Sequence, residues 1–150
     1  MFIGGSTVNL DAKGRLALPT RYRGIIADRF ESRLVLTVHD DGCLLLYPLA
    51  EWEDIQRKLV RLPNQNKRAR TLQRMLLGYA TEVEMDGNGR ILVAPRLRDF
   101  AKLDKRVSLA GVGNKFEIWN EEVWEKNCGD WVTGPDGDAE LPDALESLTL

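Results

Sequence analysis

Three observations predict a mainly β fold with short helices, an α+β arrangement of two repeats joined by a helical linker. The stretch DAKGRLALP at 11–19 returns as DGNGRILVAP at 86–95. Apolar residues on either side of both stretches alternate at period two, as half-buried strands do. The two stretches also lie in register with further matches. At an offset of 75, Asp11 falls on Asp86, Gly14 on Gly89, Arg15 on Arg90, Leu16 on Ile91, Leu18 on Val93, Arg21 on Arg96 and Arg23 on Arg98. At an offset of 72, Leu44 falls on Phe116, Leu46 on Ile118, Tyr47 on Trp119 and Trp52 on Trp124. Loops tolerate such a slip. The repeats are assigned to 5–52 and 80–125, the linker to 53–79 and an acidic tail to 126–150.

In chain order, Val8 and Leu10 and then Leu16 and Leu18 put one apolar face on a hairpin, with Ala12-Lys13-Gly14 as its loop. Glycine stands third, where a three-residue hairpin loop needs a positive φ. Pro19 ends the strand, and Tyr22, Ile25, Ile26 and Phe30 then recur at helical spacing. RLVLTV at 33–38 and CLLLYP at 43–48 flank His39-Asp40-Asp41-Gly42 as a second strand pair. Leu49, Trp52, Ile55, Leu59 and Leu62 share one helical face, broken by Pro63-Asn64. Ala69, Leu72, Met75 and Leu76 mark a second linker helix ending at Gly78. The second repeat follows the first: Val83 and Met85, a Gly87-Asn88-Gly89 loop, Ile91 and Val93, Pro95, a helix on Leu97, Phe100 and Ala101, then RVSLAG and KFEIW around 112–114. A unit of about 50 residues makes too small a core to stand well alone, which argues for pairing of the two units or oligomerisation. Trp52 and Trp124 are read as core residues, the alternative being a subunit contact. Leu141, Leu145 and Leu148 suggest a last amphipathic turn within an otherwise irregular tail beyond Cys128.

The chain has 150 residues, 43% hydrophobic, enough for a packed core. No apolar run approaches the roughly 18 residues of a membrane span, and MFIGGSTVNL lacks the regions of a secretory signal, so a cytoplasmic protein is expected. Cys43 and Cys128 are far apart with no C-x-x-C, and His39 is the single histidine, so no metal site, disulfide or redox pair is expected. His39 is read as a loop residue. No nucleotide-binding, hydrolase or metalloprotease motif occurs, so no enzyme, cofactor or small-molecule substrate is expected. The net charge of −2 conceals an asymmetry: residues 1–115 hold 20 Lys and Arg against 13 Asp and Glu, whereas 116–150 hold 1 against 10. A basic body can meet a polyanion whatever the average charge. Lys67, Arg68, Arg70 and Arg74 on the linker read as a solvated helix face, the sharper alternative being an extra phosphate-contacting surface.

The repeated turn is the candidate site. Asp11 and Arg15, or Asp86 and Arg90, should stand nearly opposite one another, the aspartate accepting loop N–H groups and pairing with the arginine. That role alone is structural. Each turn, however, leads to two further arginines, Arg21 and Arg23 or Arg96 and Arg98, and a stiff ribbon presenting guanidinium groups suits the DNA major groove. Lys13 at the tip would meet phosphate as a point charge.

MFIGG, NLDAKGRLALPTRYR, CLLLYPLAEWE, LLGYA, MDGNGRILVAPRLR and GNKFEIW together closely resemble the MraZ family, a two-copy relative of AbrB-like DNA-binding proteins. The resemblance covers nearly the whole chain except the tail. It implies a bacterial transcriptional regulator with a pseudo-twofold β-barrel of the swapped-hairpin AbrB type, assembled as a homo-oligomeric ring and nucleoid-associated. It also implies binding to short G-rich direct repeats in double-stranded DNA, at the promoter of the division and cell-wall gene cluster. By the family's motif, Asp11, Arg15, Asp86 and Arg90 carry the binding turns. Lys13, Gly14, Arg21, Arg23, Asn88, Gly89, Arg96 and Arg98 join them on physical grounds. Asn88 stands where the first turn has Lys13, so the first turn is expected to dominate. LLGYA carries tyrosine where histidine is expected. The alternative function is an oligomeric, antitoxin-like protein-binding module without DNA readout.

Overall fold

The computed structural model describes residues 1–133. Expectations for Leu141, Leu145 and Leu148 lie outside the described residues. The first repeat comprises β1 (Phe2–Asn9), β2 (Arg15–Ala17), α1 (Thr20–Phe30), β3 (Arg33–Val38), β4 (Leu44–Pro48) and α2 (Leu49–Val60). After α3 (Lys67–Gly78) come β5 (Thr81–Glu84), β6 (Arg90–Leu92), α4 (Pro95–Ala101), β7 (Arg106–Gly113), β8 (Phe116–Asn120) and α5 (Glu121–Thr133). The period-two and helical spacings of the sequence therefore fall on the elements they predict.

The two repeats interlock. Six strands form one sheet in the order β1-β7-β8-β4-β3-β5, and β2 pairs with β6 in a separate ribbon. Exchanging the strands of one repeat for those of the other reverses this order and leaves it unchanged, so the pseudo-twofold is written into the topology. Each repeat's first strand bonds to the other's third, Val8 opposite Val107 and Val83 opposite Leu34. The axis passes through Leu45 opposite Glu117 in the large sheet and through Leu16 opposite Ile91 in the ribbon. The first and second strands of each repeat take their ladder partners from the other, whereas β3–β4 and β7–β8 pair within one repeat.

Alternation along the strands divides the apolar residues between two faces of the sheet. On one face Leu34, Leu36, Leu44, Leu46, Leu109, Phe116 and Ile118 pack with Leu16, Leu18, Ile26, Ile91, Val93 and Leu97 from the ribbon and from α1 and α4. On the other, Val35, Leu45, Tyr47 and Trp119 pack with Trp52 and Leu59 of α2 and with partly buried residues of α3 and α5. α3 is the less buried cover: Leu72 is 41% exposed. It is pinned through buried Thr37, whose Oγ1 donates to Leu76 O at 2.6 Å, and through Gln73, whose amide donates to Leu59 O at 2.7 Å.

Three expectations are corrected. Among the described residues the sheet does not close into a barrel: β1 and β5 are its edges, and a single bridge, Leu10 to Leu16, links the end of β1 to β2. The cause is local. β2 and β6 are only three residues long, because Pro19 at the start of α1 and Pro95 at the start of α4 stop them, and both bond to each other. Secondly, α5 continues through Thr133, so the stretch just past Cys128 is helical; Trp131 stacks edge-on against Trp124 there. α5 follows β8 as α2 follows β4, and among the described residues α3 has no counterpart. Lastly, Trp52 is buried but Trp124 only half-buried, between Trp119 and Trp131.

Leu16 lies on the pseudo-axis with no exposed surface, so Leu16→Ala should lower the unfolding free energy by about 2–5 kcal/mol in a denaturant titration. Leu92→Ala, at a 58% exposed position in the ribbon, should change it by less than about 0.5 kcal/mol.

Candidate nucleic-acid interface

Each repeated turn is organised by its aspartate. Asp11 Oδ1 accepts the backbone N–H groups of Lys13 at 3.0 Å and Arg15 at 2.8 Å, while Oδ2 takes Arg15 Nε at 2.7 Å. Asp86 does the same for Asn88 and Arg90, both at 2.9 Å, and for Arg90 Nε at 3.2 Å. The turn closes with Gly14 N–H on Asp11 O and Gly89 N–H on Asp86 O, each at 3.0 Å. Gly14 (φ 83°) and Gly89 (φ 75°) take the left-handed conformation there. The ion pairs are solvent-accessible, so their contribution is orientation more than stability. They engage Nε, the inner nitrogen of each guanidinium, and leave both terminal amino groups outside the pair. The carboxyls of Asp11 and Asp86 are held below their ordinary range, foremost by the backbone N–H of Arg15 and of Arg90 respectively, against an opposing desolvation effect.

The ribbon then decides which way the arginines face. Directly opposite residues of an antiparallel pair project to the same side, and successive residues to alternate sides. Leu16 and Ile91 are opposite and buried, so they face the core. Arg15, opposite Leu92, and Arg90, opposite Ala17, therefore share the outer face. As diagonal neighbours they stand about 7–8 Å apart at Cα. Lys13 and Asn88 are exposed at the two tips. The sequence reading missed Leu92, whose signal is its place between inward-facing Ile91 and Val93. It is exposed where the pseudo-symmetric position holds Ala17, and it gives the outer face an apolar centre.

The remaining sequence-assigned arginines are not gathered at the tips. Arg21 is exposed, with a terminal amino group on Ser6 Oγ at 2.8 Å and its guanidinium 4.5 Å from the Tyr22 ring centre. Arg96 donates to Gly78 O at 3.0 Å and lies 4.3 Å over Tyr79, the unexpected tyrosine of LLGYA. These two thus lie towards opposite edges of the sheet. Arg23 and Arg98 are half-buried, each against the glycine of the other repeat's turn.

Among the described residues, the one cluster of potential metal ligands is His39, Asp40 and Asp41. His39 Nδ1 already accepts the Asp41 N–H at 3.0 Å, so the cluster works as a turn, matching the expected loop role. Cys43 is fully buried, and burial pushes its thiol up to about 12, which makes it a packing residue. No helix among the described residues is long and apolar enough to cross a membrane.

Comparison with known proteins follows the same two-part division. The pattern of the family described as MraZ protein, antitoxin-like, matches residues 1–75 and again 76–128. A protein of Thioalkalivibrio sulfidiphilus named transcriptional regulator MraZ is 53% identical over 150 residues, covering all of both chains. Proteins of the same name from Halorhodospira halophila and Saccharophagus degradans are 51% and 49% identical, again over the full length of each.

The carboxylate-centred turn makes a pH prediction. Because the folded state depresses both aspartate values, their contribution to stability is present above the unfolded value and is lost as pH falls through the folded one. In a carboxyl-carbon NMR titration both midpoints should lie below 3.8, the ordinary value, with the amides of Lys13, Arg15, Asn88 and Arg90 moving in the same acid step. Midpoints at or above 3.8 would contradict this account of the turns.

Proposed function

Since this chain belongs to the MraZ family, we propose that it is a sequence-specific DNA-binding transcriptional regulator whose paired turns read the major groove. The observation that carries the proposal is the common outer face of the β2–β6 ribbon, from which Arg15 and Arg90 both project. A major groove admits a two-stranded ribbon, and arginine bonds guanine O6 and N7 together, which suits G-rich sites. The spacing of the two arginines is close to two base steps of about 3.4 Å. In this proposal Arg15 and Arg90 contact base edges, and Asp11 and Asp86 set the planes of their guanidinium groups. Gly14 and Gly89 give the turns their shape. Lys13 and Asn88 approach the backbone, with Arg21 and Arg96 as flanking phosphate contacts. Leu92 offers an apolar contact of the kind a thymine methyl group takes.

The charges within reach are few, and the aspartates offset part of them, so one chain binds weakly at cellular salt. Several copies on one assembly, meeting regularly spaced sites, gain through effective concentration. A homo-oligomeric ring acting on short direct repeats follows from this, because subunits related by rotation through head-to-tail contacts match direct repeats better than a palindrome. We place its action on the nucleoid in the cytoplasm, at the promoter of the division and cell-wall gene cluster.

The test is a mobility-shift titration with the duplex upstream of the protein's own gene. Arg15→Ala should weaken specific binding by on the order of tenfold or more, and Arg90→Ala by less, since the second turn lacks the Lys13 charge. Lys13→Ala should weaken binding modestly and reduce the salt slope by about one. Normal binding by Arg15→Ala overturns the assignment. Absence of any salt-dependent duplex binding would favour the antitoxin-like protein-binding module instead.

A further inference from the structure

We infer that Arg23 and Arg98 are positioning residues acting across the repeat boundary, each bracing the turn of the other repeat that carries a proposed DNA contact. The inference rests on the function proposed above for Arg15 and Arg90. Both arginines lie in helices, α1 and α4, that follow their own repeat's turn, and the sequence places them beside it. The interlocked strands instead carry each one to the opposite turn.

The contacts are reciprocal. A methyl group added at Gly14 would lie 2.9 Å from Arg98 Cζ and 3.0 Å from both Arg98 Nε and the Val93 carbonyl oxygen. One added at Gly89 would overlap the Arg23 side chain outright, with Cζ at 2.5 Å. The glycines are therefore needed twice, for positive φ and for an uncovered α-carbon on which a guanidinium can lie. On their backbone side, Gly14 O accepts the Val93 N–H at 2.8 Å and Gly89 O accepts the Leu18 N–H at 2.9 Å. Each turn glycine is thus held from two directions by the other repeat, one hold being a strand amide and the other an arginine.

The polar atoms argue for bracing over outward contact. Arg23 Nε donates to Leu18 O at 2.8 Å, fixing the guanidinium beside the strand that bonds Gly89. Arg98 Nε is buried and has no hydrogen-bond partner among the described residues. Burying a donor unpaired is unfavourable, and a side chain serving phosphate would stay in solvent as Arg21 and Arg96 do. Packing against Gly14 holds Arg98 in this place. The two braces are unequal in consequence: Arg23 is anchored by its own hydrogen bond, whereas Arg98 depends on contact alone.

The test pairs backbone amide NMR of the full chain with the mobility shift. Arg98→Ala should shift or broaden the amides of 11–15, raise the Asp11 titration midpoint towards its ordinary value, and leave 86–90 nearly unmoved. Arg23→Ala should do the converse, perturbing 86–90 and Asp86. On the upstream duplex, Arg98→Ala should weaken binding by roughly tenfold with its salt slope unchanged. Arg98→Lys should remain impaired, because an ammonium keeps the charge but not the flat group over Gly14. Should Arg98→Ala lose a dispersed spectrum, Arg98→Met keeps a side-chain stem and should give the same crossed pattern. Direct phosphate contact would appear instead as a salt slope reduced by about one, rescue by Arg98→Lys and unmoved turn amides, and that result overturns the inference. So would perturbation confined to the variant's own repeat. If wild-type protein failed to bind the duplex, the proposed function would fall while the crossed NMR pattern still decided the bracing.

Discussion

Two hydrogen bonds, Leu18 N–H to Gly89 O and Val93 N–H to Gly14 O, join each repeat's shortest strand to the other repeat's turn. Much of the architecture depends on them. β2 and β6 are too short to persist as an isolated hairpin, and each touches its own first strand only at the turn. Bonded to one another, they form a ribbon that lays Leu16 and Ile91 on the core. The same exchange recurs in the large sheet, where β1 needs β7 and β5 needs β3. Two units, each too small for a stable core of its own, thus complete one core between them.

The interlock also makes the candidate site. With Leu16 and Ile91 inward, alternation leaves Arg15 and Arg90 no choice but the outer face. The glycine carbonyls engaged by the opposite strand fix where each turn ends, and the aspartates fix where each guanidinium points. Stability and presentation are therefore one arrangement of the backbone. Symmetry of the backbone is not matched by symmetry of side chains: Asn88 takes the place of Lys13, and Leu92 that of Ala17. In the proposed function such a platform meets DNA from two equivalent supports that differ in side chain, and the relatives are named transcriptional regulators.

The sequence disclosed most of this through spacing. Asp, glycine and arginine at fixed intervals specified the turn, and the alternation of Val8, Leu10, Leu16 and Leu18 specified its buried face. Pairing partners were harder to see, since a hairpin and a swapped ribbon share the same local pattern. Spacing alone therefore sets Arg23 and Arg98 beside their own turns, whereas the closed barrel is what the family resemblance implies. The correspondence of α2 with α5 is faint in the sequence, because they share little beyond Trp52 and Trp124 with an adjacent glutamate. Leu92 stands out only once the pairing is known, because its exposure follows from Ile91 and Val93 facing inward.

The central claim, that each turn, shaped by its own aspartate, is held in place by the other repeat, is tested most directly by native-state hydrogen exchange of the Leu18 and Val93 amides. Bonded to the opposite turn at the heart of the interlock, they should exchange only by global unfolding, as slowly as the amides of Leu44–Leu46 in the central strand. Exchange through small local openings, at rates like those of the exposed turn tips, would show that each turn stands on its own repeat and would contradict the account.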